Sequence, residues 1–266
     1  MNLPTDYSLV GKRAVVCGST QGIGRACAAR FAELGAEVTL LARDPVALEH
    51  VRGALPAADG VTHRALVADF GDAETVKRMI TTLVSEVGTI HVLLNNTGGP
   101  PAGPIVEADP EAFVRAIRMH VVCNQILAQA VIPGMKAAGY GRILNIISTS
   151  VKEPIPGLGV SNTTRWAVAA WAKTMAGEVA AHGITVNNIL PGYTATARLD
   201  ALIQNKSKAG GVSEEAVRDE ILGKIPMRRL ASAEEIAAAA GFFASPAASY
   251  ITGVNLPVDG GRLGSL

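Results

Sequence analysis

Short apolar runs rich in Val, Ile and Leu alternate along the chain with longer amphipathic stretches. The runs at residues 14–17, 38–42, 65–68, 91–95, 143–147, 185–190 and 254–258 are nearly continuous in apolar character, as strands buried on both faces must be. Between them, apolar positions recur at helical spacing over residues 22–34, 45–55, 73–87, 111–138, 162–181 and 233–244. Asp109-Pro110 opens the fourth of these with a capping residue followed by proline at the first helical position. Repeated strand-helix units of this kind predict an α/β fold: one doubly wound domain with a seven-stranded parallel sheet and helices on both faces. No repeat or low-complexity linker divides residues 1–266.

Two segments break the rhythm. Residues 98–104, Gly-Gly-Pro-Pro-Ala-Gly-Pro, follow a strand and hold too much Gly and Pro for either regular element. Residues 196–224 fall between the sixth strand and the last clear helix. Ligands of open α/β sheets bind beyond the carboxyl ends of the strands, so both segments are expected to wall a site, the second as a substrate lid.

Composition narrows the partners. The 266 residues are 48% hydrophobic and 18% charged, enough to fill one large core. Twenty-four Lys and Arg against 23 Asp and Glu leave a net charge of +1, and no basic run suits a phosphate backbone, which argues against nucleic acid. The opening residues lack the regions of a signal peptide, and no segment reaches the ~18 apolar residues of a membrane helix, so a soluble cytoplasmic protein is expected. Cys17, Cys27 and Cys123 share no metal-type spacing and read as buried reduced thiols, with no metal site.

The first strand runs into Gly18-Ser19-Thr20-Gln21-Gly22-Ile23-Gly24 and then a helix. Glycines at that junction let the backbone approach a pyrophosphate, whose charge the helix N-terminus favours. At the end of the second strand stand Arg43 and Asp44. An acidic residue there would hold the ribose hydroxyls of NAD, whereas an arginine accommodates the 2′-phosphate of NADP. Arg43 favours NADP(H) over NAD(H), unless it is only a solvated charge beside an Asp44 helix cap.

With these residues in place the chain resembles the short-chain dehydrogenase/reductases. The resemblance rests on Gly18-x-x-x-Gly22-Ile-Gly24, Asp69, Asn95-Asn96-Thr97-Gly98, Asn145-Ile-Ile-Ser148, Pro191-Gly192 with Thr196, and the tail from Tyr250 to Gly261. Within the family it is most similar to reductases of 3-oxoacyl groups. The resemblance implies a Rossmann-type single domain, a nicotinamide cofactor, a small-molecule carbonyl or alcohol substrate, and a homodimer or homotetramer. It implies cofactor contacts at Gly18, Ser19, Gln21, Gly22, Ile23, Gly24, Arg43, Asp69, Phe70, Asn96, Gly98, Arg165, Pro191, Gly192, Thr194 and Thr196.

The family's catalytic set is Asn, Ser, Tyr and Lys, the last two as Tyr-x-x-x-Lys. Carried over by position, the serine matches Ser148, but the tyrosine position holds Ser161, the lysine position Arg165 and the asparagine position His120. No tyrosine of the chain is followed four residues later by lysine. A serine hydroxyl is a much weaker acid than a phenol of pKa ~10, and Arg165 can bind ribose but cannot relay protons. An imidazole titrating near ~6.5 at His120 could deliver the proton instead, directly or through water. The bland alternatives are a packing role for His120 and a helix N-cap role for Ser161. Tyr193 is expected to approach the nicotinamide or to pack beside it, and Asn124 is a candidate for the missing amide. Three functions remain open: an NADP(H)-dependent carbonyl/alcohol oxidoreductase, a catalytically silent nucleotide-binding protein, and a dehydratase or isomerase on the same scaffold.

Overall fold

In the computed structural model residues 6–265 are described. The stretch read above for a signal peptide begins in residues 1–5, which lie outside them. Seven strands form one sheet in the order β3-β2-β1-β4-β5-β6-β7, with every neighbouring pair parallel. They are β1 (Arg13–Cys17), β2 (Glu37–Ala42), β3 (Arg64–Val67), β4 (Val92–Asn95), β5 (Gly141–Ile146), β6 (Ile184–Pro191) and β7 (Asn255–Val258). Pro257 is tolerated because β7 is an edge strand.

Alternate residues of each strand feed two cores. On one face Ala14, Val16, Val38, Leu40, Leu94 and Leu144 pack under α1 (Gly22–Glu33), α2 (Pro45–Ala54) and the last helix of the chain. On the other, Val15, Cys17, Leu41, Leu93, Ile143 and Val186 pack under α3 (Ala73–Val87) and two further helices described below. Helices on both faces leave the central strands no solvent side, which is why they read as apolar runs, while the edge strands β3 and β7 are only partly buried. The three cysteines are free and buried within these layers.

The predicted fourth helix is three pieces. It starts as α4 (Pro110–Ile117), capped by Asp109 through the Glu111 N–H at 3.0 Å. A π-helical turn, Arg118–Val122, follows, and the chain resumes as α5 (Cys123–Ala138). Such a turn inserts a residue into the helical repeat and re-aims the side chains around it. Helix α6 (Gly159–Val179) begins three residues before the expected start.

The 196–224 segment, expected to be irregular, is a helical hairpin. Thr196 caps α7 (Ala197–Gly210), Gly211 ends it in the left-handed conformation, and Ser213 caps α8 (Glu214–Gly223). Leu199, Ile203, Val217, Ile221 and Ile225 form a small core of their own between the two helices. Helix α9 (Ala233–Ala244), with a Ser232–Glu235 capping box, completes the first face. Among the described residues no helix is long and apolar enough to cross a membrane, and no His, Cys, Asp and Glu group is arranged to hold a metal.

A row of asparagines stitches the carboxyl half of the sheet. Asn95, Asn145, Asn188 and Asn255 are in register on β4 to β7. Each Nδ2 donates to the Oδ1 of the next, at 2.8, 2.8 and 2.7 Å. Three of the four are almost completely buried. Chained amides satisfy one another where single ones would be costly, although the Asn95 Oδ1 at the start of the row is buried without a partner.

Candidate active site

Strand order reverses between β1 and β4, so the loops after these strands diverge and leave a crevice at their carboxyl ends. A cleft of about 910 Å³ opens there, floored by the ends of the strands and walled by the 98–104 loop and α7. Most of the residues expected to touch a cofactor line it: Gly18, Gln21, Gly22, Ile23, Arg43, Asp69, Phe70, Asn96, Gly98, Arg165, Pro191, Gly192, Thr194 and Thr196.

The phosphate cradle is built by close backbone approach. Gly18 (φ 58°) and Gly22 (φ 51°) occupy the left-handed region. A Cβ on Gly18 would meet the Asn96 carbonyl oxygen at 2.6 Å, and one on Gly24 would collide with the Gly18 carbonyl. Asn96 Nδ2 donates to the carbonyls of Cys17 and Gly18, each at 3.2 Å, tying the β1 turn to the end of β4. Ser19 and Gly24 lie behind the cleft wall rather than on it. Ser19 is fully buried and its Oγ has no partner. What the turn presents to the cleft is the backbone of Gly18 and of Thr20, Gln21, Gly22 and Ile23 at the start of α1, which a phosphate-bearing ligand can approach closely.

Arg43 and Asp44 divide their work. Asp44 accepts from the Val46 and Ala47 N–H groups at 2.9 and 3.0 Å and caps α2, while Arg43 lines the cleft together with Arg25. Neither arginine takes part in a salt bridge among the described residues.

At the inner end of the cleft Ser148 follows β5, half-buried, and its Oγ accepts the Ser150 N–H at 3.0 Å. Arg165, on α6, is buried and donates from Nη1 to the Ile146 carbonyl at 3.1 Å, which carries its guanidinium to the end of β5. Two arginines absent from the expected set join it. Arg198, in the first turn of α7, donates across the cleft to the carbonyls of Gly99 at 3.1 Å and Pro100 at 3.4 Å. Arg262, after β7, donates to Thr149 Oγ1 at 3.0 Å and sits 5.3 Å from the centre of the Tyr193 ring. Both line the cleft, as does Tyr193.

A family model described as enoyl-(acyl carrier protein) reductase matches residues 18–262, almost the whole chain. The chain belongs to the short-chain dehydrogenase/reductase family. It is 33% identical over 259 residues to a 3-oxoacyl-[acyl-carrier-protein] reductase of Pseudomonas aeruginosa, covering 96% of this chain and 98% of that one. It is 32% identical over 266 residues to gluconate 5-dehydrogenase of Gluconobacter oxydans, covering 100% of both. Among solved structures, L-sorbose reductase from Gluconobacter frateurii, complexed with NADPH and L-sorbose, superposes with a TM-score of 0.91 at 32% identity over 98% of this chain and 100% of that one.

As a short-chain dehydrogenase/reductase the protein keeps its serine, Ser148, in the cleft; the other expected catalytic positions behave differently. Ser161 is not the N-cap of α6, because the helix begins two residues earlier and Leu158 occupies that position. Its side chain is buried and off the cleft lining. His120 lies in the π turn, 2% exposed, with its ring beside the Gly98 backbone. Burial, and then the Arg165 guanidinium, push its pKa down to about 2. The expectation of an imidazole titrating near ~6.5 is therefore corrected: His120 is neutral, buried beside the loop after β4. Asn124, one turn on, is buried and does not line the cleft either. Arg165 stays charged, its pKa lowered to about 10 by burial and by Arg198.

Proposed function

We propose that the protein is an NADP(H)-dependent oxidoreductase that interconverts a carbonyl and a secondary alcohol. The observation that carries this reading is the cradle at the start of α1, where Gly18, Gly22 and Gly24 leave room for close approach, with unpaired Arg43 and Arg25 beside it. NADPH, when bound, would supply the hydride. The N-terminus of α1 and the Gly18–Gly24 backbone would hold the pyrophosphate, and Arg43 the 2′-phosphate. Arg165 would bind the ribose hydroxyls and keep positive charge beside the reacting oxygen. Ser148 would donate its hydroxyl to that oxygen and pass on a proton from water. Neutral His120 would pack beside the Gly98 backbone. Losing a phenol at residue 161 would cost about 10² to 10⁴ in rate, which slows hydride transfer without abolishing it.

The relatives act on a 3-oxoacyl group, gluconate and sorbose by their names, and they share only carbonyl/alcohol chemistry. A small-molecule substrate follows from that likeness. A homodimer or homotetramer is supported by Val114, Val122 and Trp166, apolar side chains left about half exposed on α4, the π turn and α6. Three buried free thiols accord with a reducing, cytoplasmic setting.

A fluorescence titration with NADPH and NADH tests the cofactor reading. NADPH binds more tightly, and Arg43→Ala removes at least about tenfold of the preference, the worth of one charge-assisted contact. Binding of neither cofactor at millimolar concentration overturns the reading. The neutral His120 favours a second function, a silent nucleotide-binding protein, which predicts NADPH binding without oxidation by any of a panel of ketones and aldehydes.

A further inference from the structure

The inner half of the cleft carries positive charge with no counter-charge. Among the described residues lining the cleft there are five arginines, at 25, 43, 165, 198 and 262, and two carboxylates, Asp69 and Glu234. The carboxylates lie away from Ser148: Asp69 follows β3, where its Oδ1 accepts the Gly71 N–H at 2.8 Å, and Glu234 opens α9. Arg25 and Arg43 stand beside the phosphate cradle at that outer end and would face a 2′-phosphate. Arg165 would face ribose. Arg198 and Arg262 have no such assignment.

Each is nevertheless held in place. Arg198 bridges from α7 to the Gly99 and Pro100 carbonyls, and Arg262 is fixed between Thr149 Oγ1 and the Tyr193 ring, next in sequence to Ser148. These partners are neutral, so they orient the guanidiniums without cancelling their charge. Nor does either form a salt bridge among the described residues, whereas Arg229 and Arg52, out on the surface, do. Arg198 also bears on Arg165 as a like charge and helps to keep His120 neutral, and burial lowers its own pKa. Holding the partly desolvated Arg198 near Arg165 is unfavourable until an anion joins them, and a planar fork binds a carboxylate or phosphate with two parallel hydrogen bonds; Arg262 lines the same cleft.

We propose that the substrate of this cleft carries an anionic group, carboxylate or phosphate, bound by Arg198 and Arg262 while its carbonyl oxygen lies at Ser148. The proposal rests on the oxidoreductase reading for the carbonyl and on the arginines alone for the anion. Arg198 already joins α7 to the 98–104 loop through the Gly99 and Pro100 carbonyls, so that wall of the cleft carries one of the two arginines of the anion site.

Two matched probe pairs test it: acetoacetate against its methyl ester, and dihydroxyacetone phosphate against dihydroxyacetone. Calorimetric binding is measured with and without saturating NADP+, and NADPH oxidation is followed with the same four compounds. In one pair the anion binds at least about tenfold better than its neutral partner, and which pair does so separates carboxylate from phosphate. Arg262→Gln and Arg198→Gln collapse that ratio toward one, and Arg262→Lys, which keeps the charge and guards against a folding failure, retains most of it. A ratio near one in both pairs overturns the anion site even if NADPH is oxidised. An anion preference without any NADPH binding leaves the site standing and overturns the oxidoreductase reading instead. Loss of NADPH affinity in Arg262→Gln places that arginine on the cofactor and also overturns the proposal.

Discussion

His120 shows how one residue changes meaning between sequence and structure. By position it replaces an asparagine, and an exposed imidazole there would be a proton donor at neutral pH. The π turn instead turns it inward, where 2% exposure and the Arg165 guanidinium hold it neutral. Its pKa of about 2 in the folded chain lies below the ~6.5 of an unfolded one. Between those values the unfolded chain binds the extra proton, so stability is complete above about pH 6.5 and falls as pH drops below it. His120→Asn removes this dependence. We expect the wild type to lose roughly 2 kcal/mol relative to that variant between pH 7 and pH 5, read from denaturant midpoints at each pH. His91, whose pKa is also lowered by burial, is present in both proteins and cancels. Parallel pH profiles would mean that His120 reaches solvent. No pattern of spacing announced the turn, because Arg118–Val122 continues the amphipathic period of the helices on either side.

At the scale of elements, the asparagine row is the feature with the clearest energetic consequence. Asn145 sits in its middle, accepting from Asn95 and donating to Asn188. Asn145→Ala would leave the Asn95 amide and the Asn188 carbonyl buried without those partners. At about 1–3 kcal/mol for each stranded group, the cost is roughly 2–6 kcal/mol, seen as a lower urea midpoint with an unchanged m-value. A loss under about 1 kcal/mol would mean that water or a rotated amide replaces the ladder. Sequence alone displayed the strands well, since burial on two faces writes an apolar run, and it displayed the cradle, since Gly18 and Gly22 need their positive φ. It hid the row, because four asparagines at 95, 145, 188 and 255 acquire a relation only when the sheet sets them in register. Arg198 and Arg262 were hidden for the same reason: Arg198 meets the Gly99 carbonyl across 99 residues and Arg262 meets Thr149 across 113. The α7–α8 hairpin escaped because Gly210-Gly211 and a polar surface resemble a loop until the Leu199–Ile203 and Val217–Ile221 pairs close on each other.

Among the described residues the molecule has four cores of unequal size: two large ones sharing the sheet, a small one where Ile147, Val151 and Leu190 meet α6, and a small one between α7 and α8. A unit with five buried apolar side chains of its own and few ties to the rest opens at a lower free energy than the strands, which unfold only globally. One tie is Arg198, whose bonds to Gly99 and Pro100 span the cleft. Residues 197–223 should therefore exchange amide hydrogens faster than β1, β4, β5 and β6, and Arg198→Gln should speed that exchange by about fivefold, the worth of roughly 1 kcal/mol of hydrogen bonding. NADPH should slow it, because Thr194, Thr196, Leu199 and Leu202 line the cleft from the lid side and gain contacts only when the lid is shut. Exchange in 197–223 as slow as in β5 would make the lid part of the global unit. Substrate entry would then need a motion of the 98–104 loop instead, whose glycines and prolines leave it less tightly packed.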